Sequence, residues 1–291
     1  MSIPHIALAL AVTGLWGFSF VVMRELVDAL PPLMVAGLRV AIAALPVLIL
    51  FRPPAIRWYW TLGIGLTQGT IQMSLLFFAM EFGMPAGLSS LLLQSQVFFT
   101  TIFAYLILGE KPGRAQYAGI AVSGAGIAII GLTLPGGPTL VGLGFVLVSA
   151  LSWASSNMIV KLAGTDDLLR LIAWAHLIGI APLLGLSYIF EGGAAAFIAL
   201  ADMTLVTIGE LFFLGLIATC FGFMLWSYLL RRYPAYLVTP FSLVIPISGL
   251  ISTALLLDET LGPQRLAGVG LVLIGLVLAT LRFRARRVAR L

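Results

Sequence analysis

Several apolar, helix-length stretches of this sequence carry polar side chains that are suited to binding a small ligand without a fixed charge. Gln68 and Gln72 are one helical turn apart, so their amides share one face of a helix. Gln94 and Gln96 lie in the next stretch, and Asn157 lies further along the chain. Because amides both donate and accept hydrogen bonds, these residues are candidates for binding a polar substrate. The competing interpretation is that they only join helices to one another in lipid.

Aromatic side chains recur in the same set of stretches. Trp16 and Phe20 share a helix face near the start of the chain, while Trp153 and Trp226 lie in two later stretches. Aromatic residues in such stretches usually pack between helices or anchor at a membrane interface. Trp16 and Trp153 coincide when the sequence is shifted by 137 positions, which favours a shared cavity as strongly as it favours packing. We therefore include all four as candidate substrate-binding residues.

Two prolines, Pro240 and Pro246, interrupt one apolar stretch, with Ser242 between them. A proline inside a helix lacks the amide hydrogen and leaves a carbonyl oxygen one turn earlier without its donor. This pattern indicates either a kink that serves packing or a break that exposes polar backbone to a ligand. We take Ser242 and Pro246 as further candidates for the substrate-binding site.

Three ionisable residues inside the apolar stretches are candidates for ion coupling or gating. Arg39 is near enough to the start of its stretch for the side chain to reach outward to the interface. His176 coincides with Arg39 at the 137-residue offset and titrates near neutrality in its ordinary state, and Glu210 lies early in a later stretch. Each also has an ordinary structural explanation as an interfacial or hydrogen-bonded residue. The stretches show no buried acidic pair, metal-ligand cluster or nucleophile and base, so we expect no metal, no cofactor, no catalytic residue and no enzymatic activity.

The elements that must hold these residues are membrane helices. The chain has 291 residues, of which 61% are hydrophobic and 9% are charged, whereas about 25% are charged in an ordinary soluble domain. The mean hydropathy is +1.12. The net charge of +5 does not indicate a nucleic-acid partner, because the excess basic residues lie in the loops and the tail on one side of the membrane. Apolar runs of about 20 residues cross a bilayer as helices, and we predict an all-α polytopic membrane protein.

The sequence also contains an internal repeat. Residues 84–126 align with residues 233–275 at an offset of 149, so that Pro85 falls on Pro234 and Glu110 on Glu259. Repeats within a membrane protein are typical of transporters that alternate access between two faces.

Breaks in hydropathy predict ten transmembrane helices, over residues 3–22, 33–51, 58–80, 85–108, 114–132, 139–160, 168–190, 204–230, 235–257 and 262–282. If the N-terminus is cytoplasmic, the loops and tail on that side hold 13 Lys and Arg residues, and the opposite loops hold 2. Basic residues mark the cytoplasmic side, so we predict that both termini are cytoplasmic. Five helices per copy make the repeats inverted, with residues 1–135 and 136–291 forming the two halves of one integrated unit.

The chain resembles the drug/metabolite transporter superfamily of the EamA type along almost its whole length. The resemblance rests on Leu15-Trp16-Gly17 with Phe20, on Glu110 and Glu259, and on the glycines that follow each glutamate. The runs PPLMVAGLR, FGMPAGLSSLLLQSQVFFT and TPFSLVIPISGLISTALLLDE resemble bacterial O-acetylserine/cysteine exporters and related amino-acid exporters. Ser19 and Gln96 depart from the residues common at these positions.

This resemblance implies an inner-membrane exporter of bacteria with a central cavity between the two halves. We expect alternating access, broad selectivity for amino acids and related metabolites, and a monomer in the lipid bilayer. A multidrug cation/proton antiporter is the first alternative, although helix 1 lacks the membrane-embedded carboxylate that this chemistry requires. A membrane-embedded enzyme or a non-transporting subunit is the second.

Overall fold

The computed structural model describes residues 1–50, 52–134, 137–164, 168–233 and 235–280. Within these ranges the chain is helical and contains no β-strand, which confirms the predicted all-α class. The long helices are α1 Ile3–Ala29, α2 Pro32–Leu50, α3 Trp58–Glu81, α4 Ala86–Leu108, α5 Arg114–Thr133, α6 Pro138–Ala163, α7 Leu168–Phe190, α8 Leu205–Arg232, α9 Val244–Leu256 and α10 Pro263–Thr280. A short helix, Ala194–Ile198, precedes α8.

Seven helices in the described part of the chain are long and apolar enough to cross a membrane: α1, α3, α4, α5, α6, α7 and α8. Three shorter apolar helical stretches, Pro32–Pro46, Pro240–Leu256 and Pro263–Ala279, fall below that length. Their boundaries follow local chemistry, since Pro32 and Pro263 begin α2 and α10, where a missing amide hydrogen is tolerated. Gly109 ends α4 with φ of 66°, a left-handed conformation that glycine adopts without steric cost.

Several helices depart from regular α geometry at their centres. A π-helical segment occupies Gly65–Gln72 within α3, and another occupies Phe213–Phe221 within α8. The α-helical hydrogen bonding of α4 is interrupted at Gln94 and Ser95, and the 3₁₀ turn Thr239–Leu243 leads into α9. Such segments shift backbone carbonyls away from the regular pattern and often occur at functional sites.

Close helix packing holds the rest of the molecule around these segments. An added Cβ at Gly119 would lie 2.6 Å from the Gly275 carbonyl oxygen, and one at Gly126 would lie 2.6 Å from that of Gly268. The Ser123 hydroxyl donates to the Val272 carbonyl at 3.2 Å. The small residues of α5 and α10 therefore bring the two backbones together, as expected for helix pairs in membranes. In the same way α1 packs on α9 and α2 packs on α7.

Candidate functional site

A cavity of about 390 Å³ lies between the helices, beside the irregular segments of α3, α4 and α8. Most of the candidate residues lie on its wall: Trp16, Phe20, Arg39, Gln68, Gln72, Gln94, Gln96, Trp153, Asn157, His176, Trp226 and Ser242. These side chains come from seven of the long helices and from the turn before α9. Two candidates lie elsewhere: Pro246 is buried within α9, and Glu210 is on the outer part of α8.

The amides on the cavity wall also connect helices. Asn157 Nδ2 donates to Gln96 Oε1 at 2.8 Å and to the Thr100 hydroxyl at 3.2 Å, which joins α6 to α4. The Ser156 hydroxyl donates to Gln68 Oε1 at 3.1 Å, which joins α6 to α3. The two interpretations of these amides are therefore compatible, because one amide lines the cavity and supports a helix contact at once.

Pro246 in α9 influences the cavity wall through the backbone carbonyl of Ser242. Pro246 cannot donate to the carbonyl of Ser242, four residues earlier, and Gln94 Nε2 donates to that carbonyl at 3.2 Å. Gln94 itself is almost completely buried. The polar backbone released by Pro246 is thus satisfied across the interface between α4 and the turn before α9. Ser242 lies on the cavity wall, whereas Pro246 is buried in α9 and does not line the cavity.

Aromatic rings form one continuous side of the cavity. Trp16 lies 5.2 Å from Phe223 and 5.5 Å from Trp226, measured between ring centroids. The Trp16 indole nitrogen donates to the Ala218 carbonyl at 2.7 Å, within the π-helical segment of α8. An added Cβ at Gly222 would lie 2.6 Å from that nitrogen, so glycine is needed where Trp16 packs. The π-helical segment thereby fixes the orientation of the aromatic wall.

The two basic candidates meet at the same cavity. Arg39 Nε donates to the Thr219 hydroxyl at 3.2 Å, and Nη1 contacts the Met23 sulfur at 3.4 Å. The side chain is only 9% exposed, so it does not reach outward to the interface as its position in the sequence permitted. His176 Nδ1 donates to the Ile172 carbonyl at 2.8 Å, and the ring lies 6.4 Å from Phe223.

Glu210, a candidate for coupling or gating, lies beside a second carboxyl group. Its carboxyl group lies near that of Glu25 on α1, away from the cavity. Glu25 is exposed and Glu210 is half-buried, so this is a peripheral carboxyl pair rather than a buried one. Sequence reasoning did not find the pair because the two residues lie on helices far apart in the chain.

Sequence reasoning also missed several residues of the cavity wall: Ser19, Met23, Met73, Ser90, Leu93, Phe223 and Ile245. Phe223 lies one helical turn before Trp226, and Met23 lies one turn after Phe20, so periodicity provided a signal for both. Ser90 and Ile245 gave no such signal, because neither differs in type from ordinary packing residues of membrane helices.

One end of the helix assembly is closed around Glu259. Its carboxylate accepts hydrogen bonds from the backbone amides of Ala86, at 2.6 Å, and Gly87, at 3.0 Å. These amides begin α4 and have no partner within the helix, so an acidic side chain there is favourable. Every residue of the Ala86–Leu93 segment is buried. We refer to this region, Ala86–Leu93 with Glu259, as the Glu259 end.

The opposite end of α4 carries Glu110, the repeat counterpart of Glu259. Its carboxylate pairs with Lys161 Nζ at 2.5 Å, and the Glu110 side chain is 54% exposed. In the adjoining Gln96–Leu108 segment only Phe98 is buried. This region, Gln96–Glu110 with Lys161, is the Glu110 end.

Comparison with known proteins places this architecture among transporters. Residues 3–132 and 140–281 each match the model of the EamA-like transporter family. A protein of Salmonella typhimurium named "Probable amino-acid metabolite efflux pump" is 38% identical over 97% of both chains, and a protein of the same name from Escherichia coli is 37% identical over the same share. An "Uncharacterized inner membrane transporter" of Escherichia coli is 25% identical over 96% of this chain and 91% of its own.

A solved crystal structure matches the same arrangement of helices. It superposes with a TM-score of 0.63 over 96% of this chain and 97% of its own, at 16% sequence identity. At that identity the match concerns the fold alone.

Proposed function

Because the chain belongs to the EamA-like transporter family, we propose that it is an inner-membrane exporter of amino acids and related small metabolites. It is a multi-pass membrane protein. The two relatives named as amino-acid metabolite efflux pumps cover nearly its full length, and they support this substrate class.

The chemistry of the cavity wall carries this proposal. Amides of Gln68, Gln72 and Gln94 supply both donors and acceptors, and the rings of Trp16 and Trp226 supply an apolar side. A zwitterionic amino acid needs donors for its carboxylate and acceptors for its ammonium group. The volume of about 390 Å³ falls within the range of about 300–1,000 Å³ that is usual for small-ligand sites. Few fixed charges and a broad apolar wall favour wide selectivity.

We propose further that ten helices cross the membrane as two inverted repeats. The π-helical segments support this, since Gly65–Gln72 shifted by 149 positions falls on residues 214–221, within Phe213–Phe221. The break at Gln94 and Ser95 likewise falls beside the Thr239–Leu243 turn. Each half of the chain also matches the family model by itself. In inverted-repeat transporters the site lies between the halves, near irregular helices.

Alternating access is the mechanism that the two ends of α4 favour. The Glu259 end is closed, while its counterpart at Glu110 is bonded to a neighbouring lysine. In the opposite state we expect Glu110 to bind the backbone amides that begin a short helix, Ala235–Val238, which precedes the Thr239–Leu243 turn, and we expect Glu259 to release α4. With cytoplasmic termini, as the basic loops predict, the Glu259 end faces outward.

Flux measurements with the purified full-length protein in proteoliposomes test this function. We expect protein-dependent movement of labelled serine, cysteine, threonine and phenylalanine, each competing with the others because one cavity serves them all. Running the panel with and without a pH gradient separates proton coupling from facilitated movement. If none of these amino acids moves faster than in empty liposomes, the proposed function is wrong.

The same liposomes test the alternatives. An antiporter of cationic drugs requires a carboxylate that meets the substrate, and no Asp or Glu lines the cavity among the described residues. If Glu210→Gln abolished a pH-driven flux of an organic cation, the antiporter would replace our proposal. Any flux with the purified protein alone would exclude a non-transporting subunit.

A further inference from the structure

Arg39 is a buried cation on the cavity wall that no carboxylate neutralises among the described residues. Its two contacts, with Thr219 and Met23, occupy only part of the five N–H donors of a guanidinium. The carboxylates of Asp28 and Glu110 are paired elsewhere, with Arg24 and Lys161. A buried charge is costly when it lacks a counter-ion, so an ionic group inside membrane helices indicates a function.

His176, on the same cavity wall, has a hydrogen-bond acceptor that complements the donors of Arg39. Its Nδ1 hydrogen is committed to the Ile172 carbonyl, so in the neutral ring Nε2 carries the lone pair. Nε2 is buried and has no hydrogen-bond partner within the described residues. The ring and Arg39 line the same cavity. A buried acceptor without a hydrogen-bond partner and a cation without a counter-ion therefore belong to side chains of the same cavity wall.

The position of the pair follows from the repeat. Arg39 and His176 coincide at the 137-residue offset, and their helices α2 and α7 pack directly on each other. A row of rings leads away from the pair, from His176 to Phe223 and then to Trp16. A ligand that bonded to both polar groups would thus place its remaining side chain along the aromatic wall.

From this arrangement, which rests on the proposed function, we infer that Arg39 binds the α-carboxylate of the transported amino acid and that His176 Nε2 accepts a hydrogen bond from its α-ammonium group. The pair fixes the common backbone of the substrate, and the rings accept its variable side chain. Selectivity should then be strict for the zwitterion and loose for the side chain.

Binding of labelled L-phenylalanine to the purified full-length protein, with unlabelled competitors, tests this assignment. The competitors are L-phenylalanine, L-phenylalaninamide, which lacks the carboxylate, and 3-phenylpropionate, which lacks the amino group. We expect the wild-type protein to bind the free amino acid at least 10-fold more tightly than either analogue. In Arg39→Met the preference over the amide should fall to within 2-fold, whereas the preference over 3-phenylpropionate should persist.

His176→Phe should show the reverse pattern, losing the preference over 3-phenylpropionate and keeping the preference over the amide. Arg24→Met is the matched control, because Arg24 pairs with Asp28 outside the cavity, and it should keep both preferences. If Arg39→Met still prefers the free acid by 10-fold, the assignment is wrong.

Two further variants cover the case in which Arg39→Met does not fold, as judged by size-exclusion chromatography. Arg39→Lys retains the charge and should keep a reduced preference for the acid over the amide. Thr219→Val removes the Nε contact and should also reduce that preference. If neither variant changes the preference, the inference fails. The proposed function fails separately, if the wild-type protein neither binds nor moves any amino acid of the panel.

Discussion

The Glu259 end and the Glu110 end carry the same residue at equivalent positions of the repeat, yet the structure uses the two carboxylates differently. Glu259 receives two backbone amides that begin α4, and the segment that follows is fully buried. Glu110 pairs with the exposed amine of Lys161, beside a segment in which only Phe98 is buried. Equivalent sequence positions therefore adopt two states in one molecule, as expected if each end closes in turn.

The two ends also differ in the residues that stand where helix backbones approach each other. At the Glu259 end an added Cβ at Gly87 would lie 2.3 Å from the Thr253 hydroxyl, and one at Gly249 would lie 2.4 Å from the Ser90 hydroxyl. The equivalent positions at the other end are Tyr236 for Gly87 and Thr100 for Gly249. The Glu259 end therefore closes through contacts at two glycines, whereas the two equivalent sequence positions carry larger residues.

Gly87→Val should have the largest effect on transport, because the new side chain cannot fit against Thr253 when the Glu259 end is closed. Overpacking of this kind costs about 1–3 kcal/mol, and each 1.4 kcal/mol is a factor of about ten. We expect amino-acid flux in proteoliposomes to fall by about 10- to 100-fold. Gly124→Val is the matched control, since an added Cβ there meets nothing within 4 Å. Equal flux from the two variants would show that the glycine contact is not needed for closure.

Glu259→Gln should weaken the closed end without adding volume. Hydrogen bonds to a charged group contribute about 1.5–3 kcal/mol, and glutamine replaces one of the two accepting oxygens with an NH2 group that cannot accept from a backbone amide. We expect the end to open more often and flux to fall by about 10-fold. Opening is measured in intact cells by labelling Ser90→Cys with a membrane-impermeant maleimide, in a Cys220→Ser background that removes the one cysteine.

The labelling rate of Ser90→Cys should rise several-fold with Glu259→Gln, because Ser90 lies on the cavity wall and is buried within the closed segment itself. The matched control is Glu110→Gln in the same background, which should leave that rate unchanged or lower it. A rise of similar size with both glutamine variants would mean that the two carboxylates do not act at separate ends.

Much of the helical architecture and of the cavity wall could be predicted from the sequence, because both follow from local patterns. Apolar length predicts helices, and the turn spacing of Gln68 and Gln72 places them together. The direction of the Arg39 side chain could not be predicted, since a long side chain near a helix end reaches either outward or inward depending on its neighbours. The substrate-binding role of these residues stays a prediction.

Contacts between residues far apart in the chain could not be predicted from the sequence. Glu210 lies near Glu25, and Gln94 donates to the Ser242 carbonyl that Pro246 leaves free; in both cases the residues are far apart in sequence. No periodicity encodes such contacts. The different partners of Glu110 and Glu259 could not be predicted either. The repeat makes the two sequence positions equivalent, and the partners differ because of the conformation that the protein adopts.

Glu110→Gln should reduce transport less than Glu259→Gln does, because Glu110 contributes mainly to the opposite state. The ion pair with Lys161 is exposed, and such pairs contribute about 0–1 kcal/mol, so the thermal unfolding midpoint should hardly change. In the proposed opposite state, however, Glu110 accepts from the backbone amides that begin Ala235–Val238. Flux should therefore fall by about 3- to 5-fold, and a large loss of thermal stability with unchanged flux would contradict the exchange of partners.

Lys161→Ala should change amino-acid flux least, and it tests directly whether Glu110 acts by changing partners. The variant removes the partner that holds Glu110 in the present state and leaves the glutamate itself intact. Because the exposed pair contributes about 0–1 kcal/mol, flux should stay within about 2-fold of the wild-type rate, with any change being an increase. If Lys161→Ala instead slowed flux as much as Glu110→Gln, the lysine pair itself would be required, and Glu110 would not act by changing partners.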